Sequence, residues 1–334
     1  MRRGPVKHLE VRNTPIPFQR TIKMARKRGF EKTVSILIAV LLNSLLLRLQ
    51  RMYLPKNGAI VEVNNSKMLV FPQKGAIHRD LFLYKKREVV CTDFLIGGGV
   101  IKEGDVVLDI GANIGYYVLI ESQLVGSKGK VYAVEPVLEN FELLKKNVRL
   151  NNLQNVDAFQ LSFGECNEES KIYVSNFSNL SSMDKNTVGG KIIGIQSVSK
   201  KTVDTFLKNK PSPRLIRMDV EGYEYEILGG MPQTLKGDLR ILVELHPNLL
   251  SDEKMDEIFQ ILRQNGFWVR FAIFEPKVDQ SQIVSKIVNS LLQKSGVDAP
   301  SPAFVLKNVS LQRLQRVMKD YPRIAPNVMF EKQS

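Results

Sequence analysis

The sequence predicts an α/β fold, with a mainly parallel central sheet of about seven strands and helices on both of its faces. The first observation is the alternation of strand-like and helix-like segments between residues 106 and 274, which is typical of βαβ units. The second is the almost continuously apolar run VVLDI at 106–110, as expected of a parallel strand that is buried on both faces. With 334 residues, of which 43% are hydrophobic and 25% charged, the chain can bury such a core.

Two elements precede the alternating part. Residues 59–63 and 67–71 are β-like, and the turn-forming stretch 64–66 between them predicts an N-terminal β-hairpin. Residues 78–100 predict a helical segment that ends in three consecutive glycines.

The alternating part shows short apolar runs separated by segments with apolar residues at helical spacing. Strands are predicted at 106–110, 130–135, 156–161, 214–219, 239–245 and 267–274, and helices at about 115–124, 138–151, 202–208, 223–230 and 252–265. A polar excursion at 163–200 interrupts this order, and residues 276–302 follow no pattern that assigns them to an element.

The composition divides the chain into four parts. These are a basic arm at 1–32, an apolar helix at 33–55, a core domain at 56–275, and a basic, partly helical extension at 276–334. The net charge is +14, and residues 1–32 contain ten basic and two acidic residues. Basic ends suit an anionic surface, either lipid headgroups or nucleic acid, but solvated tails explain them equally well.

The apolar segment at Thr33 to Leu47 contains fifteen uncharged residues and has Lys and Arg on both sides. A membrane-spanning helix needs about 20 apolar residues, so this segment is short. No cleavage site of small residues follows it, which excludes a signal peptide. It is predicted to be a helix packed on the domain, an interfacial anchor or a marginal span, in that order. The protein is thus expected in the cytoplasm, with possible peripheral membrane contact through residues 20–51.

The cysteines and histidines exclude two classes of site. Cys91 and Cys166 are far apart in the sequence and form no CxxC motif, so no disulfide framework is expected. The three histidines are too scattered for a histidine-rich metal site, and their spacing assigns no metal ligands.

The strongest local motif is DIGANIG at 109–115, directly after a predicted strand and at the start of a helix. Glycine permits a tight turn and the close approach of a ligand, and a helix start offers free N–H groups to an anion. A dinucleotide fingerprint would place its second and third glycines at Asn113 and Tyr116, so this motif differs from it. The pattern G-x-N-x-G suits a ligand with a small carboxylate and an amine, such as the methionine part of S-adenosylmethionine.

Glu135 ends the second strand of this unit, 24 residues after Gly111. A carboxylate at that position can accept hydrogen bonds from both ribose hydroxyls of a nucleoside. An ordinary acid at a strand end is the alternative, but the glycine turn in register favours the ribose role.

Five stretches together resemble the FkbM family of methyltransferases: VVLDIGANIGYYVLI, AVEP, TVDTFL, RLIRMDVEGYEYEILGG and ILVELHP. The resemblance runs from about Lys56 to Pro247. It implies a class I methyltransferase fold of the Rossmann-like type and S-adenosylmethionine as the methyl donor. It also implies O-methylation of a small-molecule or glycan acceptor, often a sugar or another secondary metabolite.

The resemblance also implies roles for individual residues. Glu135 matches the ribose acid, and Ser162 and Phe163 lie where such enzymes hold the adenine. Residues 176–182 resemble a polar loop over the active site. The residues that match the family's first donor-binding motif are Asp109, Gly111, Asn113 and Gly115.

Three residues follow predicted strands at the sheet edge where ligands of such folds bind, and they are candidates for catalysis. Asp219 and Glu221 follow the strand at 214–219, and His246 follows the strand at 239–245. His246 could act as a general base, or fill a capping or core role, while Asp219 could orient the acceptor or take its proton. The three side chains could also bind Mg²⁺, although their spacing does not demand a metal.

Two other functions remain open. The basic ends suit an RNA-directed methyltransferase, but the site disfavours a nucleic-acid substrate, because Asp219-Val220-Glu221-Gly222 lacks the two prolines and aromatic residue of base-methylating enzymes. A non-catalytic donor-binding module docked to a membrane is the second alternative, and the intact acids Glu135 and Asp219 argue against it.

Overall fold

We describe residues 54–177, 180–275, 303–322 and 324–332 in a computed structural model of the chain. These residues belong almost entirely to one compact unit, Pro55–Lys277 with Pro302–Ser334. The predicted basic arm, nearly all of the apolar helix and the membrane contact through residues 20–51 lie outside the described residues. Within these described ranges, no helix is both long enough and apolar enough to cross a bilayer.

The described strands form one large sheet and two small ones. They are β1 (Ala59–Val63), β2 (Ser66–Val70), β3 (Val106–Ile110), β4 (Lys130–Val134), β5 (Val156–Phe159), β6 (Ser162–Phe163), β7 (Glu168–Ser175), β8 (Ile192–Lys201), β9 (Leu215–Met218), β10 (Arg240–Glu244), β11 (Phe267–Phe274), β12 (Phe304–Val309) and β13 (Asn327–Lys332). The large sheet has eight strands in the order β12-β11-β13-β10-β9-β3-β4-β5, of which the last five are parallel. The predicted α/β fold with a mainly parallel sheet is therefore confirmed, with eight strands where about seven were expected.

Two of the eight strands come from residues after 275, which the sequence places in a separate, partly helical extension. Strand β13 lies between β10 and β11 and is antiparallel to both, and β12 extends the sheet beyond β11. The boundary predicted at 275 thus cuts through the sheet. The sequence predicts a boundary there because residues 276–302, which come before these two short strands, follow no secondary-structure pattern.

Helices cover both faces of the large sheet. They are α1 (Ala76–Tyr84), α2 (Val89–Gly97), α3 (Tyr116–Val125), α4 (Leu138–Leu150), α5 (Val203–Leu207), α6 (Glu224–Gly229), α7 (Asp252–Gln264) and α8 (Leu311–Asp320), with a short 3₁₀ turn at Thr234–Lys236. Helices α1 to α4 contribute to the core on one face, and α5 to α8 to the core on the other.

Helix α7 illustrates why these segments are helical. Ser251 caps it by accepting a hydrogen bond from the backbone N–H of Lys254. Its buried residues recur at helical spacing, and each large apolar side chain contributes about 1.5–3 kcal/mol on burial. They are Met255, Ile258, Phe259 and Leu262.

The predicted hairpin is present as β1 and β2, and Asn64 and Asn65 adopt the left-handed backbone that its tight turn requires. The helical segment predicted at 78–100 is divided into α1 and α2. Left-handed backbone at Lys85 and Glu88 separates these two helices.

The polar excursion at 163–200 contains the largest departure from the sequence prediction. It forms a three-stranded sheet in which β7 and β8 pair as a long antiparallel hairpin and β6 pairs with β8. Ile172, Val174 and Val198 pack on Val137 in a small core of their own. The sheet therefore stands over the loop that follows β4.

Candidate active site

A cleft of about 700 Å³ lies where β3, β4 and β9 end. Parallel α/β sheets bind their ligands at this edge. Seven of the ten site residues predicted from the sequence line the cleft, and Asp109, Gly115 and His246 do not. The seven are Gly111, Asn113, Glu135, Ser162, Phe163, Asp219 and Glu221.

The glycine turn is shaped by close packing as well as by its backbone. Gly111 has φ +82°, and a Cβ atom on it would lie 2.0 Å from the carbonyl oxygen of Asp219. Only glycine lets the loop after β3 touch the loop after β9. Gly115 has φ +93° and faces Leu144, and Asn113 also has a left-handed backbone, with φ 49°.

Glu135 connects the end of β4 to this turn. One carboxylate oxygen accepts a hydrogen bond from the backbone N–H of Asn113 (2.8 Å), and the other accepts from the N–H of Val137 (2.9 Å) and from Asn140 Nδ2 (3.3 Å). All three donors are uncharged. Burial therefore dominates and raises the pKa of Glu135 to about 7.

Strand β6 forms the wall opposite the glycine turn. The Ser162 hydroxyl is buried and has no hydrogen-bond partner among the described residues, whereas most buried polar atoms are paired. Phe163 is held edge-on by Phe206, with ring centroids 5.2 Å apart. Other apolar side chains on the cleft surface are Leu161, Ile172, Met183 and Ile227.

Asp109 is fully buried behind the cleft and contacts Arg217 instead of the cleft space. Arg217 Nη1 donates to Asp109 Oδ1 (2.9 Å), and Arg217 Nη2 lies 3.4 Å from Asp219 Oδ2. The guanidinium also lies 3.9 Å from the ring centroid of Tyr117. Burial and the nearby Asp109 raise the pKa of Glu121 well above its ordinary value.

Asp219, Glu221 and His246 meet at the ends of β9 and β10. Each offers one ligand-type atom, and these three atoms lie within 4.8 Å of one another. Glu221 has φ 50° and Gly222 has φ 94°, so the turn after β9 contains two consecutive left-handed residues. The His246 ring is buried, with its Nε2 atom 3.5 Å from Glu221 Oε2.

A third acid, Glu224, supports this group from within the core. Its fully buried Oε1 lies 2.6 Å from His246 Nδ1 and also accepts a hydrogen bond from the N–H of Gly222 (3.2 Å). Burial opposes a charge on His246, but Glu224, Glu244 and Glu221 outweigh it and raise the pKa of His246 to about 10. A metal-free His246 therefore keeps its proton at neutral pH, which argues against the general-base role considered from the sequence.

Sequence reasoning overlooked Glu224 and Arg217. A signal for each is present. Arg217 is a charged residue inside an otherwise apolar strand, in register with Asp109 on the neighbouring strand. Glu224 follows Glu221 and Gly222 at the start of a helix, where a carboxylate can reach back to the turn.

The polar loop at 176–182 is described except for residues 178–179. Ser181 and Ser182 line the cleft, and the Ser182 and Thr187 hydroxyls are 2.6 Å apart. The loop therefore borders the site, as its resemblance implied.

A second cleft of about 1000 Å³ adjoins the first, because Val137 and Ser181 line both. Lys74, His78 and Lys146 contribute to its walls. Its acids include Glu139, which pairs with Lys74. The second cleft thus extends the first toward a surface that carries two lysines, Lys74 and Lys146, and two acids, Glu139 and Glu142.

Comparison with known proteins gives a consistent picture. The model of the methyltransferase FkbM domain matches residues 109–269. Hexuronic acid methyltransferase AglP of Haloferax volcanii is 29% identical over 183 residues, which are 50% of this chain and 70% of that protein. A protein-L-isoaspartate O-methyltransferase of Methanothrix thermoacetophila is 36% identical over 56 residues, which are only 27% of its length.

Among solved structures, the chain is similar to an S-adenosylmethionine-dependent O-methyltransferase of Thermotoga maritima. The TM-score is 0.38 at 14% sequence identity, with 83% of this chain and 78% of that chain covered. This likeness is too distant to support a conclusion about function.

Proposed function

We propose that this chain, which belongs to the FkbM methyltransferase family through residues 109–269 and uses S-adenosylmethionine as its donor, methylates a hydroxyl oxygen of an acidic sugar. The observation that carries the proposal is one cleft that joins the glycine turn and Glu135 to the acids Asp219 and Glu221. The sugar is inferred from AglP, which is named as a hexuronic acid methyltransferase.

The donor is proposed to bind across the ends of β3, β4 and β6. The N–H groups of the glycine turn are already bonded within the protein, so the start of α3 at Tyr116 is the part of this motif that suits the carboxylate of its methionine part. Glu135 is proposed to accept a hydrogen bond from a ribose hydroxyl through Oε2, which accepts one bond from the Asn113 N–H and has a further lone pair, whereas Oε1 already accepts two bonds. The adenine would lie against Phe163, and the unpaired Ser162 hydroxyl supplies a polar partner inside an apolar wall.

Methyl transfer from S-adenosylmethionine is an in-line displacement. The acceptor oxygen forms a bond to the methyl carbon while the carbon–sulfur bond breaks, and its electron pair goes to sulfur to give S-adenosylhomocysteine. The acceptor proton leaves to a base, for which Asp219 at the cleft surface is the candidate. Alignment of the reacting atoms can contribute about 7–11 kcal/mol, and a placed base about 10²–10⁴-fold in rate.

The acceptor is proposed to enter from the second cleft. A sugar whose hydroxyl reaches Asp219 can extend past Val137 and Ser181, which line both clefts. Lys74 pairs with Glu139, and Glu142 also lines this cleft, so Lys146 is the side chain proposed to attract a uronic acid carboxylate.

The donor site is tested by calorimetric titration of S-adenosylmethionine into the wild type, Glu135→Ala and Glu169→Ala. Glu169 is an exposed acid on β7 and serves as the matched control. We expect Glu135→Ala alone to weaken donor binding, and unchanged affinity in a folded Glu135→Ala protein would contradict the ribose assignment.

The acceptor class is tested with labelled donor and three acceptors: a uronic acid glycoside, the corresponding neutral hexose glycoside, and RNA. Methylation of the uronic acid glycoside is expected to be fastest. Transfer to RNA alone would support the RNA-directed alternative, and donor binding without transfer to any sugar would contradict the proposed acceptor.

A further inference from the structure

The group formed by Asp219, Glu221 and His246 has the dimensions of a cation site. Its three ligand-type atoms lie within 4.8 Å of one another. Small divalent cations bind oxygen ligands at about 2.1 Å, so ligand atoms around one ion lie roughly 3–4 Å apart. Side-chain shifts of a fraction of an ångström would therefore close this group on one ion.

An independent observation comes from His246. Its ring is buried, and Nε2 has no hydrogen-bond partner among the residues that the structure describes. The nearest carboxylate oxygens, on Glu221 and Glu244, lie 3.5 and 3.9 Å away, beyond hydrogen-bond distance. A buried ring nitrogen that faces two acids without bonding either has the arrangement of a metal ligand.

Glu224 fixes the ring in the orientation that a metal ligand needs. Its carboxylate lies 2.6 Å from His246 Nδ1, so the Nδ1 proton is directed to Glu224 and Nε2 faces the acids, where a cation that binds would displace the Nε2 proton. Carboxylates that accept from the remote nitrogen of a ligating histidine are a recurrent feature of metal sites. The same carboxylate holds the Gly222 N–H, and so also fixes the turn that presents Glu221.

We infer that Asp219, Glu221 and His246 bind a divalent cation, with Mn²⁺ or Mg²⁺ as the favoured class. Two carboxylates and one imidazole form a harder ligand set than the cysteine- and histidine-rich sites that select Zn²⁺. Binding of the cation is independent of the proposed function, whereas its role in methyl transfer rests on that function.

Three protein ligands leave positions open for oxygen atoms of the acceptor. Because Asp219 and Glu221 line the donor cleft, these positions border the space where methyl transfer is proposed. A divalent cation lowers the pKa of a hydroxyl bound to it and so eases loss of the proton. It also favours acceptors with two neighbouring oxygens, such as a vicinal diol or the hydroxyl and carboxylate of a uronic acid.

The test is titration of the chelator-treated full-length chain with Mn²⁺, followed by the electron paramagnetic resonance signal of the free ion. Neither donor nor acceptor is present. We expect one Mn²⁺ per wild-type chain. His246→Gln and Asp219→Asn should each weaken binding at least tenfold, and Glu224→Gln about 10–100-fold.

Glu226→Gln is the matched control. Glu226 lies two residues after Glu224 in the same helix but pairs with Lys254, away from His246. Its affinity for Mn²⁺ should equal that of the wild type. Circular dichroism and thermal melting confirm that every variant is folded, and Asp219→Asn, on a partly exposed side chain, keeps the test informative if a buried variant unfolds.

The inference is overturned if the wild type binds no Mn²⁺ at millimolar concentration, or if folded Asp219→Asn and His246→Gln bind it as tightly as the wild type. Donor titration in the presence of chelator separates this result from the proposed function. Donor binding without Mn²⁺ binding would remove only the cation site, and Mn²⁺ binding without donor binding would remove only the methyltransferase assignment.

Discussion

Two buried acids behind the cleft are arranged alike but differ in what they can do. In the first series, Asp109 contacts Arg217, which reaches Asp219. In the second series, Glu224 contacts His246, which reaches Glu221. In both cases a buried carboxylate orients a nitrogen base that faces an acid at the cleft. Arg217 is always charged and has only N–H groups to offer, so the first series can do no more than position Asp219. His246 can lose one of its two ring protons and then offer a nitrogen lone pair, so the second series suits a cation.

The largest effect is expected at the end of the first series. Asp219→Asn keeps the shape of the side chain but removes the proposed base and the carboxylate beside Arg217, so turnover should fall about 10²–10⁴-fold. Donor affinity should change little, because the assigned donor contacts lie at the glycine turn, Glu135 and Ser162. Steady-state kinetics and calorimetry check the two quantities, and wild-type turnover would remove Asp219 from the mechanism.

Substitution of Arg217, the middle residue of the first series, should instead lower the free energy of unfolding. Arg217→Met leaves the buried Asp109 carboxylate without its cation, and removal of one partner of a buried ion pair costs about 3–5 kcal/mol. Arg214→Met is the control, since Arg214 pairs with Asp238 at the surface and should contribute at most about 1 kcal/mol. Urea unfolding measures the free energy of unfolding of both variants. A loss for Arg217→Met no larger than that for Arg214→Met would show that the pair of Arg217 and Asp109 does not stabilise the protein.

Glu135 sharpens the comparison because it is a buried carboxylate without a cation partner. With its pKa raised to about 7, it is mostly protonated at pH 6 and ionised at pH 8, so donor affinity should fall about tenfold over that range as pH decreases. Its raised pKa also means that the contribution of Glu135 to the free energy of unfolding is fully present below pH 4.5 and is lost as pH rises through 7. Calorimetry at several pH values checks the affinity, and Glu135→Gln should be insensitive to pH; an equal slope in both proteins would assign the titration elsewhere.

The smallest effect is expected at Ser162, whose hydroxyl is buried and unpaired among the described residues. Ser162→Ala should weaken donor binding about two- to tenfold, which corresponds to one hydrogen bond of about 0.5–1.5 kcal/mol. The free protein should not lose stability, because no partner is left behind. Donor titration and thermal melting measure the two effects, and destabilisation without loss of affinity would contradict the contact with the donor.

The sequence predicts which residues meet on the proposed donor side of the cleft better than on the proposed acceptor side, for a physical reason. The glycine turn and Glu135 belong to one continuous βαβ unit, in which spacing along the chain determines position in space. His246 follows strand β10, but its environment depends on Glu224, 22 residues away in another element. Such a contact has no signature in local periodicity.

The fold shows the same limit. The central strands are short apolar runs and were predicted within one or two residues. The sequence predicts a polar excursion where β7 and β8 form a hairpin, because these strands bury few apolar side chains. Some of their apolar side chains, such as Ile193 and Ile195, are exposed. The position of β13 between β10 and β11 could not be predicted, since no rule based on neighbouring segments places a late strand inside an existing sheet.

That inserted strand has a consequence for the order in which the protein becomes competent during synthesis. Ile241 on β10 pairs with Phe330 on β13, so one edge of β10 stays open until the ribosome has added almost ninety further residues. The pairing of β3 with β4, which positions the glycine turn beside Glu135, needs only contacts close in sequence and forms much earlier. A nascent chain should therefore assemble its donor side first. The strand that ends beside His246 meanwhile offers an unpaired edge to chaperones or to another chain.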